Sequence, residues 1–342
     1  MNYLQWLSRE TPTRWWHDSG HTGELRRGLD FGATGVTTNP ILTAQALQSQ
    51  PEAWADAVRA VPPEDTGEER APALIEAVAG HAATQLLDVF ERTEGRDGYA
   101  CAQVNPAFAG DREAMRSMAQ RFHESAPNIA VKLPATAAGL DVAEDCMAEG
   151  IAVTITVSFT VPQLVAIAER YRKGLRRAIE AGVSPRPCFA VLMVGRLDDY
   201  LREQAADQGA PVSESDIRQA GLAVGKHAYE IYRERGYEAT LLYAAFRHAD
   251  HICGMAGADD LVLSIHPKPQ ALLLEPALPL DYGIDHPVPA DVIERLKTLP
   301  DFVTAYDPDG MSPADFIRYG LTQRTLSSFL EGGWKHLESI TS

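Results

Sequence analysis

Cysteine, lysine and net positive charge are all scarce in this chain of 342 residues. The four cysteines, Cys101, Cys146, Cys188 and Cys253, form no CxxC pair and have no histidine at zinc-ligand spacing. That scatter excludes a zinc ribbon or a disulfide scaffold and fits separate thiols in the cytoplasm. The opening residues carry no basic segment followed by an apolar run. Nor does the chain hold the roughly eighteen consecutive apolar residues of a membrane span. The formal charge is −16, which disfavours nucleic acid and anionic membrane surfaces as partners. An anionic substrate would have to be met by a local cluster of arginines. Lysines number six against 25 arginines. Five lie among polar or turn-forming neighbours. The sixth, Lys132, stands inside IAVKLPAT at 129–136, where its neighbours suit a buried strand. An unpaired buried ammonium is costly, so this placement calls for a reason.

Eight short apolar, β-branched-rich runs read as strands: 15–18, 35–38, 99–104, 129–133, 152–157, 189–194, 240–244 and 261–265. Helical periodicity fills most of the intervals, at 23–29, 111–124, 138–149, 161–181, 214–235 and 247–256. Alternating strands and helices imply an α/β protein with a parallel sheet. Eight such units in about 270 residues predict a closed (β/α)8 TIM barrel. A doubly wound open sheet would want a glycine-rich loop after an early strand, whereas in GATGVTTNP the glycines precede it. The whole chain, 1–342, reads as one barrel domain with extra N-terminal helices. A helical insertion at about 45–97 contains two or three helices and a proline-rich turn near 61–65. A C-terminal helical extension covers about 267–342, proline-dense to 311 and helical from 312 to 339.

In this architecture the active site forms at the C-terminal ends of the strands. Those ends carry Asp18, Thr38, Asn39, Gln103, Asn105, Lys132, Thr154, Thr156, Arg196 and Arg247. The set has no carboxylate cluster for a metal, no histidine pair and no Ser-His-Asp combination, so no metal or cofactor is expected. A desolvated lysine has its pKa lowered, and its neutral amine can attack a carbonyl to form a Schiff base. A carboxylate nearby can move the proton of a substrate hydroxyl, and two arginines can grip a phosphate. Metal-free aldol chemistry on a phosphorylated sugar fits this set. Each residue also has a plainer reading. A strand-end lysine can snorkel to the surface, Asp18 can cap its strand, and Arg196, in GRLDDY, can pair with Asp198 or Asp199.

The blocks GVTTNP at 35–40, AVKLPATAAGL at 130–140, EGIAVTITVSFT at 149–160, VGRLDD at 194–199 and AAFRHADHI at 244–252 resemble the transaldolase family in sequence, order and spacing. So does the stretch with Phe316, Arg318 and Tyr319 ahead of a final helix. The resemblance implies a barrel with the Schiff-base lysine on strand four, at Lys132. It implies Asp18 as the acid/base group that takes the C4 hydroxyl proton as the C3–C4 bond breaks. It further implies Thr38 and Asn39 at the donor sugar, Thr156 beside a catalytic water, and Arg196 with Arg247 at the sugar phosphate. The implied partners are small sugar phosphates, in carbohydrate metabolism of the pentose phosphate type, and a homo-oligomer is compatible with the sequence.

The chain departs from the usual pattern close to the reacting carbons. Gln103 stands where the family usually has a glutamate; the fructose-6-phosphate aldolase branch has glutamine there. Met193 replaces a phenylalanine or tyrosine. Thr154 replaces an asparagine, and Val191 a serine, that contact the donor's C1 hydroxyl. Ala245 replaces a serine near the phosphate. The resemblance therefore implies transfer of a three-carbon ketol unit, with two alternatives: an aldolase that releases or captures a free ketone, and a non-catalytic sugar-phosphate binder.

Overall fold

The computed structural model describes residues 1–62, 67–274 and 278–340. Eight parallel strands run β1 Arg14–Asp18, β2 Val36–Thr37, β3 Ala100–Gln103, β4 Ile129–Pro134, β5 Val153–Thr156, β6 Cys188–Met193, β7 Thr240–Ala244 and β8 Leu261–Ile265. Each pairs with the next, and β8 pairs with β1, so the sheet closes in chain order. This is the expected (β/α)8 barrel, with extra helices.

The interior is filled rather than open, as barrel cores are. Side chains alternate along each strand, and in β1 and β6 the inward set includes Trp16 and Phe189. Their rings meet edge-on with centroids 4.5 Å apart, and Tyr99 joins Phe189 at 5.6 Å. All three are fully buried, each contributing roughly 2–3 kcal/mol of hydrophobic burial. Gly35 is required by this floor: a Cβ there would lie 2.4 Å from the Trp16 indole. The aromatic layer closes the barrel's lower half and leaves the upper half for chemistry.

The outer layer is helical. The helix Val161–Glu180 starts on Thr160, whose side chain accepts from the Gln163 N–H, and buries Leu164, Ile167, Ala168 and Tyr171 at helical spacing. Several elements differ from expectation. Tyr3–Glu10 is an expected N-terminal helix, whereas Val194–Gln208 is a helix that periodicity did not single out. The second begins directly at the end of β6 with no spacer and no side-chain cap. The stretch 214–235 is two helices, Glu214–Ile217 and Ala220–Glu234. The predicted helix at 247–256 shortens to Ala249–Cys253. The proline-dense region after β8 contains three short helices, Pro267–Leu273, Ala290–Leu296 and Pro300–Tyr306. The insertion holds Pro51–Ala60 and Gly67–Arg92, and most of the predicted turn near 61–65 lies outside the described residues. No helix among the described residues is long and apolar enough to cross a membrane.

One outward-facing residue of β1 gives the fold a pH dependence. His17 is fully buried between β1 and the helix Thr22–Asp30, where a Cβ on Gly28 would lie 2.9 Å from its Nδ1. Gln270 Nε2 donates to His17 Nδ1 at 3.0 Å, and His17 Nε2 has no partner among the described residues. Burial, and secondarily the neighbouring His266 and His21, lower its pKa from 6.5 to about 4. Above pH 6.5 the ring is neutral in both the folded and unfolded chain. As pH falls from 6.5 to about 4 the unfolded chain takes up a proton that the folded one refuses, which removes roughly 3 kcal/mol of stability. Urea unfolding at pH 7 and pH 4 should therefore show a loss larger by about that amount in the wild type than in His17→Gln. Equal losses in the two proteins would contradict this account.

Candidate active site

Lys132 lies on β4, whose six residues are all buried. Its side chain reaches the upper cavity, where Nζ donates to the Thr38 carbonyl at 2.9 Å. In register it sits between Gln103 on β3 and Thr154 on β5. The cavity is about 390 Å³ and opens at the C-terminal mouth of the barrel, large enough for a small phosphorylated sugar.

The wall divides by strand. From β1 to β5 it is polar: Asp18, Thr37 and Asn39 join Lys132 and Thr156. On β6 and β7 it is apolar: Val191, Met193, Leu242 and Ala244. Among the described residues, Asp18 is the one carboxylate that lines the cavity. The Thr37 hydroxyl donates to Asp18 Oδ1 at 2.6 Å, and the Ser264 hydroxyl lies in hydrogen-bond contact with Thr37. Since Thr37 has one proton to give, Ser264 must donate to it. This relay from β8 through β2 to β1 fixes the carboxylate's orientation. Asn39 caps the helix Pro40–Ser49 by accepting the Leu42 N–H at 3.0 Å, and its amide nitrogen makes no hydrogen bond among the described residues.

Of the predicted site residues, Asp18, Asn39, Lys132, Thr156, Val191, Met193, Arg196 and Arg247 line the one cavity; Thr38, Gln103 and Thr154 are buried next to Lys132 without lining it. Thr38 contributes its carbonyl to Lys132, while its hydroxyl donates to the Cys101 carbonyl at 2.7 Å. The Thr154 hydroxyl is engaged with Cys101 Sγ at 3.3 Å. Burial raises the Cys101 pKa, so this thiol stays neutral beneath the lysine. Gln103 is buried, and its Oε1 has no hydrogen-bond partner among the described residues. An orphaned acceptor beside the lysine is an unusual and costly arrangement, and it can take a hydrogen bond from a water or a substrate hydroxyl.

Thr156 is aimed by strain. The next residue, Val157, has φ +57°, a genuine outlier for a β-branched side chain and costing on the order of 1–3 kcal/mol. Buried Gln163 holds the turn. Its Nε2 donates to the Val157 carbonyl at 3.2 Å and the Ala135 carbonyl at 3.3 Å, and its Oε1 accepts from the Phe159 N–H at 2.9 Å.

The mouth is cationic. Arg196, in the first turn of Val194–Gln208, forms no ion pair among the described residues; its guanidinium carbon lies 5.3 Å from the Phe329 ring centroid. Burial, and then the adjacent Arg247 guanidinium, lower its pKa from the ordinary value, so an anion between the two arginines would relieve both. Asp199 pairs with Arg247 at 2.8 Å, not with Arg196. Gly195 permits the approach: a Cβ there would lie 2.4 Å from the Ala245 carbonyl and 2.6 Å from Arg247 Cγ. Ala245 itself has φ +62°, which costs a non-glycine residue roughly 1–2 kcal/mol. Lys268 and His266 complete the rim from the β8 side. Phe329 arrives from the C-terminal helix Gly320–Phe329. That segment continues through a π-helical turn at Leu330–Trp334, with Gly333 set so close to Pro40 and Ile41 that a Cβ would lie 2.5 Å from their backbone.

Thr37, Ser264 and Phe329 were not singled out in the sequence. Thr37 stood next to Thr38 in VTTNP, and only its register with Asp18 decides which threonine faces inward. Ser264 and Phe329 carry no local signal.

A lysine at the bottom of a polar-and-apolar cleft, one oriented carboxylate, and a pair of arginines at the mouth of a (β/α)8 barrel define the class: a barrel with the groups for lysine-imine chemistry. A family profile described as Transaldolase/Fructose-6-phosphate aldolase matches residues 15–267, and the chain belongs to that family. Similar proteins include a transaldolase from Thiobacillus denitrificans, 34% identical over 241 residues, covering 67% of this chain and 67% of the relative. A transaldolase from Kocuria rhizophila is 31% identical over 219 residues, covering 62% of this chain and 59% of the relative. Transaldolase 1 of Streptomyces avermitilis is 32% identical over 246 residues, with 68% and 64% covered. The similarity thus spans 59–67% of these relatives' own length. The family match ends before the C-terminal helices, so Phe329 lies outside it.

Proposed function

We propose that this protein transfers a three-carbon ketol unit from a ketose phosphate to an aldehyde. The observation that carries this reading is a buried lysine amine in one cavity with Asp18, the one carboxylate that lines it among the described residues, both under an anion-attracting rim. The Lys132 amine adds to the donor's C2 carbonyl and water leaves, giving an iminium. Asp18 takes the C4 hydroxyl proton, the C3–C4 bond breaks, and its electron pair passes into the iminium to give an enamine while the aldehyde departs. The acceptor aldehyde then bonds to C3, Asp18 returns the proton, and water releases the new ketose. Gln103, whose Oε1 is free, can hold that water but cannot take its proton. Arg196 and Arg247 grip the phosphate. The four cysteines are free thiols, which fits a cytoplasmic setting.

A second reading is aldol cleavage with release of the ketone, and the apolar arc Val191, Met193, Leu242, Ala244 favours it for donors that lack the C1 hydroxyl. Hydroxyacetone suits such a wall better than dihydroxyacetone does, because a buried hydroxyl left unpaired costs about 1–3 kcal/mol. The two readings separate on products. With fructose 6-phosphate and erythrose 4-phosphate, transfer yields sedoheptulose 7-phosphate and no free ketone. Fructose 6-phosphate turned over at the same rate without acceptor, with stoichiometric dihydroxyacetone, would replace transfer by cleavage. A protein inert with ketose phosphates, dihydroxyacetone and hydroxyacetone alike would sink both.

A further inference from the structure

Two buried ionisable residues take no part in the chemistry above. Asp198 and His251 are each about 1% exposed or less, and neither lines the cavity. His251 Nε2 lies 2.9 Å from Asp198 Oδ2 and 3.1 Å from the Arg218 carbonyl. Nε2 donates to the Arg218 carbonyl, so the proton belongs on that nitrogen and Nδ1 is left to accept, while the Asp198 carboxylate faces the ring as a close contact without hydrogen-bond geometry. What it accepts is the backbone N–H of Arg247, at 3.4 Å. Asp198 Oδ1 in turn accepts the Gly221 N–H at 2.8 Å, in the first turn of Ala220–Glu234. The pair thereby ties the helix that carries Arg196, the start of Ala220–Glu234, and the turn that carries Arg247.

That turn needs holding. Ala245 sits in left-handed backbone space two residues before Arg247, a conformation that persists only where its surroundings over-determine it. Three contacts do so: Arg247 Nη1 on the Ala245 carbonyl at 2.8 Å, Arg247 Nε on Asp199 at 2.8 Å, and the His251 ring on the Arg247 N–H. The first two use the guanidinium that an incoming anion would engage. Only the third holds the turn without drawing on it.

We propose that Asp198 and His251 are positioning residues for the anion grip: a buried carboxylate–imidazole pair that holds the Arg247 main chain so that its guanidinium meets the substrate's phosphate beside Arg196. This rests on the reading that these two arginines bind the phosphate. Asparagine at position 251 places an amide oxygen where Nδ1 now stands, so it restores the acceptor that alanine removes.

The test uses the full-length protein and inorganic phosphate as the probe, with affinity read by calorimetric titration. His251→Ala should weaken phosphate binding about 10-fold, the usual scale for one lost buried hydrogen bond, and His251→Asn should recover most of that loss. Borohydride trapping of dihydroxyacetone, which has no phosphate, should proceed in both variants as in the wild type. A general loss of structure would slow the trapping as well, and failure of the asparagine to rescue would mean that the acceptor is not what matters; either result overturns the proposal. Arg247→Ala separates the two levels. If it binds phosphate as the wild type does, the phosphate reading itself is wrong. If it binds weakly while His251→Ala binds normally, that reading stands and the positioning role falls.

Discussion

Replacing Lys132 by methionine is expected to eliminate the borohydride-trapped donor adduct and to lower turnover on the order of 10⁵-fold, the scale of losing a covalent nucleophile. Methionine has nearly the length and volume of the lysine stem, so the β4 environment stays filled. The Thr38 carbonyl loses its 2.9 Å donor, a cost of about 1 kcal/mol. The change also removes a polar amine from a buried strand, which offsets part of that cost. The variant should therefore fold, and a circular-dichroism melt close to the wild type would establish that it has. Peptide mapping has a specific competitor to distinguish. Lys268 also lines the cavity, at its exposed rim. An adduct on Lys268, or one that survives in Lys132→Met at wild-type stoichiometry, would move the imine away from β4.

Replacing Asp18 by asparagine is expected to lower kcat by about 10²–10⁴-fold, the range for a lost general acid/base, with little change in KM. The substitution keeps the shape, and an amide oxygen can still accept the Thr37 hydroxyl that now donates to Oδ1. What it removes is the capacity to hold a proton from the C4 hydroxyl while the C3–C4 bond breaks. The donor should thus still form its imine on Lys132 and then stall: trapping persists and aldehyde release is slow. Loss of trapping together with turnover would instead assign Asp18 to imine formation. Unchanged turnover would mean that the proton goes elsewhere, and no second carboxylate lines the cavity among the described residues to receive it.

The sequence showed eight strands because each run of β-branched and apolar residues is its own signal, legible within a window of half a dozen residues. The closed barrel followed from counting them. Val194–Gln208 escaped notice because it leaves β6 without a turn, and turns are what mark boundaries in a sequence. The break at 218–219 went unseen for the converse reason, since no glycine or proline punctuates it. Within the site, inwardness was the weak point. In a strand two residues long, VTTNP does not reveal whether Thr37 or Thr38 faces the cavity; the pairing of Asp18 with Thr37 does. Thr154 has the polarity of a substrate contact, yet its hydroxyl is engaged by Cys101 on the strand two places away.

By itself the sequence determined the barrel, the burial of one lysine, and the acid and arginines at strand ends, since each depends on the periodicity and polarity of neighbouring residues. The tertiary structure decided everything that couples distant segments. The one hydrogen bond that the Lys132 side chain makes among the described residues reaches a carbonyl 94 residues away. Phe329 comes to Arg196 from the C-terminal helices, and His251 reaches both the Arg247 backbone and Asp198. Closing the sheet brings these groups within a few ångströms of one another. Local patterning specifies which face a side chain takes, but only ring closure and helix packing specify what it meets there.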